Sequence, residues 1–275
     1  MSTTIPSLTK RSHTRAGHGF SLVEMLVVIS ILSILSVLVT AGLQSVLGST
    51  EDGQISDLAS TLMRARAYAM ANNTYVFVGI QEVSSANPSS GTQTAGKGRI
   101  GVVVVASMDG TLLGVGYTPS ISSPTALTSS KLMVVSPLRH FDNLHITTPP
   151  TSGNLASGDA TLPNATANAT TYNLALPSST TSLTYEAPST SLTTFQWPLT
   201  STAQYSFGTN SSSPGTVIQF NPQGQAQIVN AAFTDSVYQW IEIDVAPTHG
   251  TTASGSNLAT ILIDGASGSV TTYRE

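Results

Sequence analysis

Two histidines and one acid stand close together near the middle of the chain. His140, Asp142 and His145 fall within six residues. Imidazole and carboxylate groups at such spacing bind metal ions or act as acid–base pairs. However, a zinc site uses three or four recognisable ligands, and the flanking Ser-Pro-Leu-Arg and Asn-Leu are typical of a loop. We therefore predict neither a metal site nor a catalytic pair here, and we expect His249 to be a solvated turn residue.

Other enzyme motifs do not occur in the sequence. The absence of cysteine excludes disulfides, thiolate metal sites and a cysteine nucleophile. There is no Gly-x-Ser-x-Gly, the one Ser-x-x-Lys runs from Ser7 to Lys10, and no glycine-rich phosphate loop is present. Glu242, Asp244 and Asp264 are too few carboxylates for calcium, which takes about six to eight oxygen ligands. We predict that the protein is not an enzyme and binds no metal or cofactor.

The composition is polar but carries little charge. Of 275 residues, 9% are charged and 77 are hydroxyl side chains, 39 Ser and 38 Thr, whereas a soluble domain averages about 25% charged residues. The formal net charge is −4, and no Lys or Arg lies between His140 and Tyr273. Binding to nucleic acid requires clustered cations, so we predict no nucleic-acid partner.

An apolar segment near the N-terminus predicts a membrane-spanning helix. Met25 to Leu43 contains 19 residues without a charge, close to the roughly 20 that cross a bilayer as a helix. Residues 1–19 hold Lys10, Arg11 and Arg15 but no acid, whereas acids follow the segment. The positive-inside rule then places residues 1–19 in the cytoplasm and the rest of the chain outside.

Glu24 stands at the head of this apolar segment, where an unpartnered carboxylate is costly and is functional by default. It belongs to the run Gly19–Ile29, GFSLVEMLVVI, which follows a basic leader. This run resembles the class III signal of type IV prepilins and type II secretion pseudopilins. In that signal the leader ends in Gly. The mature chain then begins with Phe, has a Glu at its fifth position and continues as a long apolar helix.

The resemblance implies a specific processing step. A membrane prepilin peptidase would cut between Gly19 and Phe20 and leave Phe20 as an N-methylated terminus. Seven basic and 14 acidic residues would remain, giving the mature chain a formal charge of −7. The resemblance also implies that Glu24 pairs with the Phe20 ammonium of a neighbouring subunit. Such a pair sets helix register more than it adds stability.

Two other origins for this segment stay open. Val39-Thr40-Ala41 has the small-residue pattern of a signal peptidase site, which would release an exported binding module, although the apolar run exceeds the usual length of about 7 to 15 residues. The other alternative is a surface protein anchored by a single span, which includes an anchored hydrolase.

The predicted secondary structure is one long helix followed by strands. We expect helix from Phe20 to about Asn72, loosened near Gly42 and Gly48 and restarting at Ser49 to Asp52, because apolar residues recur at helical spacing from Ile55 to Ala69. Beyond Asn73, short apolar or alternating runs predict strands. These are Thr74–Val83, Arg99–Ser107, Leu112–Tyr117, Lys131–Val135, Thr216–Asn221, Ala226–Val229, Val237–Val245 and Leu258–Ile263.

The turn signals and alternation favour a half-buried antiparallel sheet. Asp109-Gly110 and Asn221-Pro222-Gln223-Gly224 are typical of tight turns. In Val237–Val245, the odd positions hold four apolar residues and Gln239, and the even positions hold Tyr, Trp, Glu and Asp. We therefore expect one buried and one solvated face.

Residues 147–213 differ from both flanks. They include 28 Ser or Thr and two charged residues, Asp159 and Glu186, which predicts an insertion of long loops or weak edge strands. Glycosylation sequons begin at Asn72, Asn164, Asn168 and Asn210, although a chain of this composition produces such triplets by chance.

The later part of the chain is also similar to H-type minor pseudopilins and related minor pilins. The similarity lies in Leu62–Asn73 before a Val-rich strand, in Val217–Gly224 and in Ile261–Val270. Prepilin-type cassette proteins of Verrucomicrobia are similar too. Ala41 stands where many major pilins have a kinking Pro, and there is no Cys pair, which argues against a major pilin.

These observations predict an α+β, pilin-like fold in three parts. Residues 1–19 would be a cleaved leader, 20–48 a transmembrane and assembly helix, and 49–275 a periplasmic β domain. The predicted function is a minor pseudopilin or minor pilin of a type II secretion pseudopilus or type IV pilus. Its expected partners are prepilin peptidase, other pilins or pseudopilins, and inner-membrane lipid.

Overall fold

A computed structural model describes residues 21–112, 126–147, 171–173, 185–186, 194–200, 202–208, 215–228, 240–253 and 258–274, with backbone alone at 37–50, 171–173, 185–186 and 215. Two compact units are present, residues 1–49 and 50–275. The described elements are α1 (Leu22–Asn72), β1 (Val76–Ser84), β2 (Gly98–Ser107), a 3-10 turn (Ser129–Lys131), β3 (Leu132–Asp142), β4 (Leu144–Ile146), β5 (Thr171–Asn173), β6 (Tyr185–Glu186), β7 (Phe195–Trp197), β8 (Tyr205–Phe207), β9 (Gly215–Phe220), β10 (Ala226–Ile228), β11 (Trp240–His249), β12 (Thr252–Ala253), β13 (Ala259–Asp264) and β14 (Val270–Arg274).

In the first unit, α1 carries apolar side chains on all sides. Every described side chain from residue 21 to 36 is exposed. The hydroxyls of Ser30, Ser33 and Ser36 donate to main-chain carbonyls in the preceding turn, at 2.8 to 2.9 Å. These polar side chains are therefore satisfied within the helix. No helix in the described part of the chain is long and apolar enough to cross a membrane; residues 37–43 of the predicted span lie beyond the described side chains.

The end of α1 is set by local chemistry, as predicted. Asn73 adopts a left-handed φ of 49°, and the Thr74 N–H donates to Ala69 O at 3.1 Å, which is a Schellman-type C-cap. The Thr74 hydroxyl then donates to Ser107 O at 2.9 Å. The predicted interruption near Gly48 is wrong at the level of the backbone, because α1 is one element from Leu22 to Asn72.

The first sheet contains five strands in the order β10-β9-β1-β2-β3, and every neighbouring pair is antiparallel. β1 lies at its centre and pairs with both β2 and β9. β3 forms one edge and shows register irregularities opposite Val102 to Val105. β3 continues past Pro137, although the sequence predicted that the strand ends at Val135. An edge strand can continue through Pro137 because it tolerates a residue without an N–H.

The second sheet contains seven strands, with the path β14-β13-β11-β5-β6 and with β4 and β12 also paired to β11. β11 and β13 are antiparallel from Trp240↔Asp264 to Val245↔Ala259. β5 pairs with β11 in parallel, so the sheet is mixed rather than wholly antiparallel. The chain passes from the first sheet to the second at Asn143, which has a left-handed φ of 62°.

The main core of the second unit lies between α1 and the two sheets. Six residues of α1 are buried there, together with alternate residues of β1, β2, β9, β11 and β13. The helical residues are Ile55, Leu58, Ala59, Leu62, Ala65 and Ala69, which are the positions that the helical spacing predicted.

A second apolar cluster covers the opposite face of the first sheet. It joins Phe77, Val103 and Val217 of that sheet to Phe195, Tyr205 and Phe207 of the two-stranded ribbon β7–β8. The ribbon comes from the Ser/Thr-rich segment that was predicted as loops or weak edge strands. That prediction missed its packing role, because four aromatic side chains among many hydroxyls give a weak local signal.

The predicted solvated faces are wrong in two places. β1 and β2 are buried on both faces because α1 covers one face and the ribbon the other. On β11, Glu242 and Asp244 are buried, and the Thr260 hydroxyl donates to Asp244 Oδ1 at 2.6 Å. The predicted strand Leu112–Tyr117 lies outside the described residues beyond Leu112, which is in a turn.

Candidate functional site

The first candidate site is the start of α1. The Met25 N–H donates to Ser21 O at 3.2 Å, so Ser21 is the N-cap of the helix and Glu24 lies in its first turn. Glu24 Oε2 accepts a hydrogen bond from the Ser21 N–H at 2.8 Å. This contact is one half of a capping box, in which an acid three residues into the helix satisfies the N-cap donor. The positive end of the helix dipole also favours a carboxylate at this position.

The predicted cleavage and methylation positions, Gly19 and Phe20, lie outside the described residues, and both assignments stay predictions. The described chain begins at Ser21, so the bond predicted to be cut precedes the first helical residue, Leu22, by two residues. The sequence singled out Glu24 but not its capping role, although the spacing Ser21-x-x-Glu24 before an apolar run is a capping-box signature.

The second candidate, the group His140, Asp142 and His145, does not converge on one point. His140 and Asp142 lie on β3 and His145 on β4, so the loop predicted here is wrong. Asp142 Oδ1 pairs with Arg99 Nε at 2.6 Å, and the His140 ring stacks on Tyr205 with centroids 5.9 Å apart. Among the residues that the structure describes, no three metal-ligating side chains cluster.

His145 instead joins a buried pair with Glu82. His145 Nδ1 lies 2.8 Å from Glu82 Oε1 and 2.9 Å from Oε2, and the Gly98 N–H donates to Oε1 at 3.1 Å. Glu82 is 0% exposed. Because Glu82 belongs to β1 and His145 pairs with Ala246 of β11, the contact connects the two sheets. A buried carboxylate is tolerated when such donors satisfy it.

Glu82 is a buried residue that the sequence did not single out. The only local signal was one acid within a strand of otherwise mostly apolar residues, and its partner lies 63 positions away. Main-chain hydrogen bonds also support Asn143, where the chain passes from the first sheet to the second. The Asn143 N–H donates to Gly98 O and the Thr248 N–H donates to Asn143 O, both at 2.8 Å.

The stacked rings of His140 and Tyr205 lie near the charges of Arg99 and Asp142. Burial, and to a smaller degree the charge of Arg99, lowers the pKa of His140 below its ordinary value, while Asp142 opposes the shift. Burial raises the pKa of Tyr205 to about 12. Both groups are therefore neutral near pH 7, which suits a packing role.

The remaining candidates are structural or exposed. Asp264 Oδ1 accepts the main-chain N–H groups of Ala266 and Ser267 and so orders a turn. His249 is exposed at the last position of β11, close to its predicted setting. At the sequon that begins at Asn72, the Asn72 side chain donates to Tyr68 O, while the hydroxyl of Thr74 is buried and bonded.

One family model matches the chain. The prokaryotic N-terminal methylation motif covers residues 14–40, which include Gly19, Phe20 and Glu24. No curated protein and no solved structure matches the chain. The motif is characteristic of type IV prepilin-like proteins. It implies processing by prepilin peptidase and assembly with other pilin subunits.

Proposed function

We propose that the protein is a minor pseudopilin or minor pilin, a structural subunit of a type II secretion pseudopilus or type IV pilus. The observation that carries the proposal is the methylation motif at residues 14–40, placed directly before and within a helix that begins at Leu22. In this proposal prepilin peptidase cuts between Gly19 and Phe20, Phe20 is methylated, and the protein is not an enzyme.

The first unit has the surface that an assembly helix requires. Large apolar side chains from Leu22 to Leu35 are about half exposed or more, and exposed apolar surface of this extent is typical of a lipid or protein contact. Bonding of the serine hydroxyls within the helix supports burial of this surface in an apolar environment. We place the helix in the inner membrane as a single pass before assembly, with the second unit periplasmic or extracellular.

The second unit would present the subunit's surface to its partners. It is an α+β unit in which the C-terminal part of α1 packs on antiparallel strands, which is compatible with a pilin-like fold. Its charged side chains are few, and several pair within the unit, such as Arg139 Nη2 with Asp57 Oδ2 at 2.8 Å and Arg274 with Asp52. With a mature net charge of −7, the protein is poorly suited to bind nucleic acid.

Disulfide cross-linking tests assembly, and the absence of native cysteine makes it clean. Ile29→Cys places a thiol on a position of α1 that is 64% exposed, and Thr251→Cys is a matched control at an exposed position of the second unit. A disulfide needs a second thiol, so the other pilin subunits of the host carry an introduced cysteine in their own N-terminal helix. We expect oxidation in host cells to cross-link Ile29→Cys to these subunits only when prepilin peptidase is present. Cross-linking that is absent, or that is equal without the peptidase, would contradict the proposal.

A further inference from the structure

The edge strand β3 lies along α1 and contacts it at two places. Near the end of β3, Arg139 Nη2 pairs with Asp57 Oδ2 at 2.8 Å, and Arg139 Nη1 donates to the Thr61 hydroxyl at 3.4 Å. Near its start, the Tyr68 hydroxyl donates to Met133 Sδ at 3.9 Å. Asp57, Thr61 and Tyr68 follow one another at intervals of four and seven residues, which places them on one face of the helix. The start of β3 is therefore joined to α1 through a sulfur atom.

Sulfur occurs in this protein only in methionine, because the chain has no cysteine. In the part of the second unit that the structure describes, four methionine side chains are exposed, namely Met63, Met70, Met108 and Met133. Met133 is 37% exposed, so its side chain is open to a small oxidant. Among the described methionines, it is the one whose sulfur accepts a hydrogen bond. Met133 thus combines access to an oxidant with a donor already directed at its sulfur.

We propose that Met133 is an oxidation site whose sulfoxide binds the Tyr68 hydroxyl more strongly than the thioether does, so that oxidation tightens the contact between β3 and α1. Hydrogen peroxide supplies the oxygen. Its O–O bond breaks and an S–O bond forms, while the thioether loses two electrons and the peroxide is reduced to water. Enzymes that reduce methionine sulfoxide reverse the step, so the modification is reversible.

The local geometry favours a stronger contact over a disrupted one. A thioether is a weak acceptor, whereas a sulfoxide is polar. The 3.9 Å between the Tyr68 hydroxyl and Met133 Sδ exceeds the length of an O–H···O hydrogen bond, about 2.5–3.0 Å. This leaves room for the added oxygen to accept from the hydroxyl. Because the site lies on an exposed edge strand, the new polar group also keeps its access to water and avoids a burial cost.

Urea unfolding of the full-length chain in detergent, before and after treatment with hydrogen peroxide, tests this inference. Peptide mass spectrometry first measures the gain of one oxygen at Met133. The proteins compared are wild type, Tyr68→Phe, Met133→Leu and the double variant. We expect oxidation to shift the unfolding equilibrium about threefold to tenfold further towards the folded state in wild type than in Tyr68→Phe, which is the net effect of one hydrogen bond. The difference should disappear in the background of Met133→Leu.

Met63→Leu is the matched control, because Met63 is a 48% exposed methionine of the same helix and its sulfur accepts no hydrogen bond from the described residues. This substitution should leave the difference between wild type and Tyr68→Phe unchanged. The inference is overturned if Met133 stays unoxidised under conditions that oxidise Met108, or if oxidation affects wild type and Tyr68→Phe equally. A difference that persists in Met133→Leu would also overturn it.

Discussion

The buried contact between Glu82 and His145 makes a sharp prediction about stability. Replacing His145 by Phe keeps a ring of similar size but removes its hydrogen bond to Glu82, which is 0% exposed. Among the described residues, the Gly98 N–H then remains as the one donor to the Glu82 carboxylate. Breaking a buried pair by removing one partner typically costs about 3–5 kcal/mol. Since domains are stable by about 5–15 kcal/mol, we expect His145→Phe to remove a large share of the free energy of unfolding.

The control is the more exposed pair of Arg99 and Asp142, whose side chains are 11% and 51% exposed. The Asp142 carboxylate is half exposed and solvent screens its side of the pair, so Asp142→Asn should cost less, about 1 kcal/mol. Glu82→Leu combined with His145→Phe removes both polar partners and should recover much of the loss.

Urea unfolding of the full-length chain in detergent, followed by tryptophan fluorescence, measures these differences. Trp197 packs on the second apolar cluster and Trp240 begins β11, so the two tryptophans report on both sheets. The reasoning is refuted if His145→Phe loses no more free energy of unfolding than Asp142→Asn, or if the double variant is as unstable as the single one.

Two further predictions use the same unfolding assay. A Cβ at Gly101 would lie 2.5 Å from Tyr205 Cε1, whereas a Cβ at Gly53 would have no atom of the described residues within 4 Å. Gly101→Ala should therefore cost about 1–3 kcal/mol, while Gly53→Ala should stabilise by about 0.5–1 kcal/mol. Equal effects would contradict the packing argument. The pKa of His140 is lowered in the folded state by burial and by Arg99, so the unfolded chain binds its proton first. The stability that neutral His140 contributes to the folded state is present above its ordinary pKa of about 6.5 and is lost as pH falls through the lowered pKa. Between pH 7.5 and 5, the free energy of unfolding of His140→Gln should therefore fall less than that of wild type. Parallel losses in the two proteins would count against this.

Local signals predicted the regular elements because those elements depend on neighbouring residues. The apolar spacing from Ile55 to Ala69 marked the buried face of α1, and Asn73 marked its end. The turn at Asn221–Gly224 was also predicted, and Gly224 adopts a φ of 85°.

Contacts between distant segments could not be read in the same way. Gly79 and Gly101 look like weak points of a strand, yet each leaves space for an aromatic ring of the β7–β8 ribbon. The ribbon itself lies in a segment whose composition suggests loops. Glu82 meets His145 only because β3 and β4 carry the chain from one sheet to the other, and no pattern around either residue encodes that meeting.

The central claim is prepilin processing, and the mature N-terminus tests it most directly. The measurement is the intact mass and N-terminal peptide of the protein purified from membranes of its own host. We expect a chain that begins at Phe20 and carries one methyl group. A chain that begins at Gly42, or one that retains residues 1–19, would contradict it.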